Sequence, residues 1–181
     1  MTKLSEDAEA KRIKGMQHKD DGNAHFKAER FQDALREYYN ALLHLRGLDA
    51  NAMSTAMPKN PEDVQEEDVT ELSKDLSVIQ TNMAACHVRL GRAARAIDCA
   101  QEALKSNPFN KKAKFRLVQG YVREGSLIKA GKLLDELEKD SPNDAAFAAE
   151  RRNIAAKEAE AEKKQRKELA GMFDRAKKSA L

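Results

Sequence analysis

Apolar residues recur every three or four positions through most of the chain. From Phe31 onward, Ala34, Leu35, Tyr38, Ala41, Leu42 and Leu45 keep this spacing, the pattern of an amphipathic helix that Gly47 is placed to stop. Ahead of it, Ser5 to Glu29 reads as a first helix, with Ile13, Met16 and Phe26 as its larger apolar residues and Ser5 as its candidate cap. Helical patterns resume at about Val69 to Leu90, ending at Gly91, and again at Ala93 to Lys105, closed by Asn107-Pro108. Asn110 to Glu124 and Leu127 to Lys139 follow, stopped by Gly125 and by Ser141-Pro142. From Asn143 the chain reads as one long Ala/Glu/Lys/Arg helix reaching about Lys178. No segment alternates with period two, so the pattern predicts an all-α chain without strands.

One stretch breaks the pattern. Ala50 to Asp68 holds Pro58, Pro61 and the acids Glu62, Asp63, Glu66, Glu67 and Asp68. It reads as a loop with a short helical piece after Pro61. Loops of this length are uncommon inside compact domains, so about 48–68 counts as an insertion.

The helices come in pairs, and the pairs repeat. Gly22, Ala34 and Ala41 of the first pair align with Ala84, Ala96 and Ala103 of the second, and Val118, Ala130 and Pro142 continue the register in the third. Ala84 to Val118, Ala96 to Ala130 and Pro108 to Pro142 are each 34 residues apart. A helix-turn-helix period of 34 is the tetratricopeptide signature. Gly22 to Ala84 is 62 residues, and most of the excess of 28 falls in the loop around Pro58 and Pro61. Small residues at Gly22, Ala34, Ala84, Ala96 and Ala130 let paired helices approach closely. Each repeat leaves an apolar face that only a neighbour can cover, and the helix from Asn143 is placed to cap the last one. The reading is therefore three repeats over 13–142, preceded by an N-terminal extension over 1–12 and followed by a capping helix and tail over 143–181. His25 and His87 occupy a position where such repeats prefer a bulky group such as the equivalent Tyr121. Val118 and Leu137 are larger than the usual residues and are expected to widen the third pair.

Composition narrows the function classes. There are 33 Lys+Arg against 30 Asp+Glu, a net charge of +3, which makes no case for a nucleic-acid-binding protein. Met1 to Lys19 has no apolar signal-peptide core, and no run approaches the roughly 20 apolar residues of a membrane span. Cys86 and Cys99 match no metal or redox spacing and read as small core residues. His18, His25, His44 and His87 show no His-x-x-x-His pattern, no Gly-rich phosphate loop occurs, and no acid-His-nucleophile set is apparent. The expectation is a non-catalytic protein of the cytoplasm, with the nucleus as a second compartment, and with no metal, no cofactor and no stable membrane association.

In stacked repeats of this kind the first helix of each pair lines a concave face. Lys19 and Asn23 share one face of the first such helix, Asn82 lies on the corresponding face of the second, and Lys112 and Arg116 on that of the third. Lys112 and Arg116 are one helical turn apart. Asn can donate to a carboxylate and accept from a peptide backbone, and Lys and Arg supply charge-assisted bonds to carboxylate oxygens. Lys19-x-x-x-Asn23, Asn82 and Lys112-x-x-x-Arg116 resemble the carboxylate clamp of tetratricopeptide co-chaperones. In that family the clamp receives the C-terminal Glu-Glu-Val-Asp tail of heat-shock protein 90 or heat-shock protein 70. The resemblance implies that Lys19, Asn23, Asn82 and Lys112 share the terminal carboxylates, with Arg116 nearer an upstream residue.

The run Ala41-Leu-Leu-His-Leu-Arg-Gly-Leu-Asp49, the Pro-bearing loop and Asn82-Met-Ala-Ala-Cys86 resemble the tetratricopeptide repeat protein 9 family. Lys163-Lys-Gln-Arg-Lys-Glu-Leu-Ala-Gly-Met-Phe173 is similar both to that family and to the helix that ends many immunophilins of this class. Those immunophilins carry a prolyl isomerase domain ahead of their repeats. With 21 residues before Gly22, that domain is expected to be absent here. Two other functions stand beside the clamp: a scaffold that recognises an internal peptide in the same groove, and a calmodulin or membrane adaptor acting through the basic terminal helix.

Overall fold

The computed structural model describes residues 3–46, 48 and 65–179. All long elements among them are helices: α1 Lys3–Lys27, α2 Phe31–Arg46, α3 Glu71–Arg89, α4 Ala93–Ser106, α5 Lys111–Glu124, α6 Leu127–Asp140 and α7 Ala145–Ser179. Each follows the predicted pattern to within a few residues. Gly47 and most of the insertion lie outside the described residues; of the insertion's acidic end, Glu66–Asp68 forms a short 3-10 turn. The pairs α1/α2, α3/α4 and α5/α6 stack in chain order, α3 touches both α1 and α5, and α7 packs on α6. This is the all-α superhelix of helix hairpins that the repeat predicts.

The repeat extends to backbone detail. Within each pair the turn passes through one left-handed residue: Glu29 (φ 59), Gly91 (φ 70) and Gly125 (φ 92). Behind it, Arg30, Arg92 and Ser126 donate their amides to the carbonyls of His25, His87 and Tyr121, at 3.0, 2.9 and 2.9 Å. This is the closing bond that follows a left-handed helix cap. Glycine makes that conformation accessible at Gly91 and Gly125. Glu29 adopts it with a Cβ, a strained state for an L-residue.

Paired positions trade volume. Gly22 lies under the Tyr38 ring so closely that a Cβ on it would sit 2.6 Å from the ring. The equivalent positions are Ala84 and Ala100 in the second pair, within one core cluster, and Val118 and Leu134 in the third, within another. A glycine faces a tyrosine, an alanine an alanine, and a valine a leucine. The large residues of the third pair, Val118 and Leu137, are buried in the same cluster as Phe147 and Ile154 of α7, and the Phe115 and Phe147 rings meet at 5.1 Å. The cap that α7 supplies is short, because every described residue from 155 to 170 is exposed.

Polar side chains tie repeat to repeat. Asn110 caps α5 by accepting from the Ala113 amide at 3.1 Å. Its Nδ2 donates back to Ser77 Oγ (2.8 Å) and Thr81 Oγ1 (3.2 Å) on α3. Ser77 Oγ in turn donates to the Ala103 carbonyl of α4 at 2.8 Å. The buried hydroxyls therefore have partners, as burial demands. Arg151 of α7 binds Asp135 (2.5 Å) and Glu138 (2.6 Å) of α6, holding the cap on the last repeat.

The histidines of the first two pairs differ: His25 Nδ1 and both ring nitrogens of His87 lack a partner among the described residues. His87 is buried. Burial, followed by the nearby Arg92 and Arg95 charges, pushes its pKa below the usual histidine value. The unfolded chain, with a histidine pKa of about 6.5, then binds the proton more readily than the folded one. Stability contributed here is present above pH about 6.5 and is lost as pH falls below it. Thermal melts of wild type and His87→Phe between pH 7.5 and 5.5 check this: the variant is expected to lose less stability on acidification. Parallel pH profiles for the two proteins would contradict it.

Candidate peptide-binding groove

The sequence places Lys19, Asn23 and Lys27 at successive turns of α1, Asn82 and Ala85 a turn apart on α3, and Lys112 and Arg116 a turn apart on α5. A cavity of about 210 Å³ opens among these three helices, lined by Asn23, Phe26 and Lys27, by Asn82 and Ala85, by Arg116, and by Tyr38 from α2. Three of the five expected clamp residues, Asn23, Asn82 and Arg116, thus share one cavity. The other two are not in its lining. Lys19 and Lys112 each stand one turn before a lining residue, Lys19 half-buried and Lys112 exposed.

The two asparagines are joined. Asn82 Nδ2 donates to Asn23 Oδ1 at 3.0 Å, and Tyr38 Oη donates to the same oxygen at 2.8 Å. With its oxygen held by two donors, the Asn23 amide keeps its NH₂ group as a donor. Burial raises the Tyr38 phenol pKa, with Cys86 adding to the rise and Asn82 opposing it. Tyr38 therefore stays protonated and donates. Its ring comes within reach because Gly22, the residue before Asn23, presents no Cβ to block it.

The cations differ in their partners. Lys19 Nζ lies 3.2 Å from Asp20 Oδ1. Arg116 donates to Gln119 Oε1 at 2.7 Å, and neither it nor Lys112 pairs with a carboxylate among the described residues. Burial, followed by the like charges of Arg89 and Arg123, lowers the Arg116 pKa. Among the described residues Arg116 is thus a half-buried guanidinium with a neutral hydrogen-bond partner and no acidic one.

Sequence reasoning missed Tyr38 and Lys27. Lys27 carried a readable signal, because it extends the Lys19, Asn23 spacing by one more turn. Tyr38 did not, since on α2 it reads as one more buried apolar position. Tyr38→Phe keeps the ring and deletes the donor to Asn23. It is expected to lower stability by about 1 kcal/mol in urea unfolding; an unchanged midpoint would show that the bond contributes nothing.

A family model described as the bacterial transcriptional activator domain matches residues 14–139, from α1 to α6. The chain belongs to this family. Within it, the three stacked hairpins are tetratricopeptide (TPR) repeats. The C-terminal TPR-containing domain of a Plasmodium falciparum FK506-binding protein aligns with a TM-score of 0.68 at 22% identity, over 86% of this chain and 95% of that one. The first TPR of Spaghetti (RPAP3), solved bound to the HSP90 peptide SRMEEVD, aligns with a TM-score of 0.58 at 23% identity, over 82% of this chain and 95% of that one. At these identities the likeness is one of fold. Among curated proteins, the Protein STIP1 homolog of Dictyostelium discoideum is 36% identical over 89 residues, 48% of this chain and 15% of that protein. The chain spans a quarter or less of the length of the curated relatives it matches. No helix among the described residues is long and apolar enough to cross a membrane.

Proposed function

We propose that the groove is a receptor for the free, acidic C-terminus of a chaperone, heat-shock protein 90 or heat-shock protein 70, and that the chain is a non-catalytic co-chaperone adaptor of the cytoplasm. The observation that carries this reading is the shared cavity of Asn23, Asn82 and Arg116, in which amide donors and an arginine without an acidic partner converge. A carboxylate accepts from all of these groups. Lys19 and Lys112, one turn outward on the same helices, complete the set by swinging long side chains toward a bound anion. Lys19 exchanges Asp20 for the ligand; Lys112 has no partner to give up.

The TPR of Spaghetti supports the choice of ligand, because its bound peptide ends in Glu-Glu-Val-Asp. Residues 13–142 would form the receptor, with 143–181 as cap and tail. Micromolar binding corresponds to about 8 kcal/mol, and charge pairs at an open groove weaken as salt rises.

Lys112→Ala and Arg116→Ala test the reading. Each is expected to abolish pull-down of the chaperone while leaving the circular dichroism spectrum unchanged, because neither side chain belongs to the apolar core. Retention of binding in both variants would remove the clamp assignment.

A further inference from the structure

The first hairpin carries a second cluster, on a different face of α1 from the groove residues. His18 and Asp21, three residues apart on α1, meet Glu37 of α2. His18 Nδ1 lies 2.7 Å from Glu37 Oε2, and one ligand-type atom from each of the three residues lies within 4.8 Å of the others. The His44 ring runs parallel to that of His18, with centroids 5.4 Å apart and 9° between planes, which limits the rotation of the His18 imidazole. His18 and Glu37 are partly buried, and Asp21 faces solvent. Neither Asp21 nor Glu37 pairs with a lysine or arginine among the described residues. The cluster of three thus sets two carboxylates beside a single imidazole, bonded to Glu37 alone, and its own net charge is negative whether that imidazole is neutral or protonated.

We infer that His18, Asp21 and Glu37 form a binding site for a divalent cation of the zinc class, linking α1 to α2. The donor set is one imidazole nitrogen and two carboxylate oxygens. Mixed nitrogen and oxygen donors suit Zn²⁺ and Co²⁺, whereas Mg²⁺ and Ca²⁺ take oxygen. Three protein ligands leave the fourth tetrahedral position to water. Tetrahedral bonds of about 2.0–2.2 Å require donor atoms a little over about 3 Å apart. The cluster reaches that with a small opening of the His18–Glu37 pair and a closing of Asp21 by side-chain rotation. Binding replaces the His18–Glu37 hydrogen bond: the metal takes the nitrogen that faced Glu37, and the neutral imidazole carries its proton on the other. Sequence spacing could not reveal this site, because its third ligand comes from the next helix and only the hairpin brings it to the first two.

The test uses the full chain, free of any affinity tag and stripped with chelator. Calorimetric titration with Zn²⁺, and Co²⁺ titration followed by visible absorption, are expected to give one saturable site, a raised melting temperature and the absorption of a four-coordinate cobalt ion. Mg²⁺ at the same concentration is expected to leave the melting temperature unchanged. Asp21→Asn, a near-isosteric change at an exposed position, and Glu37→Gln are each expected to weaken Zn²⁺ by at least about ten-fold, the lower end of what disturbing even the outer shell of a metal site costs. The circular dichroism of the metal-free variants should match wild type. Absence of saturable Zn²⁺ binding would overturn the proposal. So would binding that both variants leave intact, since the metal would then sit elsewhere on the chain.

Discussion

The groove depends on the Tyr38 ring lying across Gly22. A Cβ at position 22 would stand 2.6 Å from that ring, so only a glycine lets α2 deliver a tyrosine to the concave side of α1. The ring then does two things. It fills the first hairpin's core alongside Ala34, Ala41 and Leu45, and its hydroxyl fixes the amide of Asn23 at 2.8 Å. Asn23 in turn receives Asn82 from the second repeat at 3.0 Å. A packing constraint in the first hairpin thus becomes an oriented donor pair across two repeats. The positions equivalent to Gly22 and Tyr38, Ala84/Ala100 and Val118/Leu134, serve packing alone.

Electrostatics completes the arrangement. Burial, and after it the like charges of Arg89 and Arg123, depress the Arg116 pKa, and none of the three arginines forms an ion pair among the described residues. The fold tolerates this because the structural ion pairs are elsewhere: Arg151 with Asp135 and Glu138 at the cap, Arg12 with Asp75 between α1 and α3. Like charges held together without counter-charge are what the proposed anionic ligand would neutralise.

The helices, their pairing and the period of 34 could be read from the sequence because periodicity and turn residues act locally. The alignment of Ala84 with Val118, and of Pro108 with Pro142, carried real geometry: the left-handed residues Glu29, Gly91 and Gly125 fall in the same register. Glu29 shows where such reading stops, since nothing in a glutamate announces a left-handed turn. Of the candidate site, Asn23, Asn82 and Arg116 were legible through the repeat register. Tyr38 was not, because its hydroxyl acquires a role only once α2 crosses Gly22. The expected widening of the third pair by Val118 and Leu137 did not anticipate that α7 would cover the same cluster with Phe147 and Ile154. The His18, Asp21 and Glu37 cluster was likewise invisible to spacing rules, which look along one helix rather than between two.

The cavity beside Asn23 and Asn82 is proposed to recognise a terminal carboxylate. The most direct measurement is calorimetry with one acidic heptapeptide, SRMEEVD, as free acid and as C-terminal amide. Micromolar binding of the free acid and loss of measurable binding for the amide are expected, because amidation removes the charge that the asparagine amides and the cations would share. Equal affinity for the two peptides would contradict it and point to recognition of the peptide's interior.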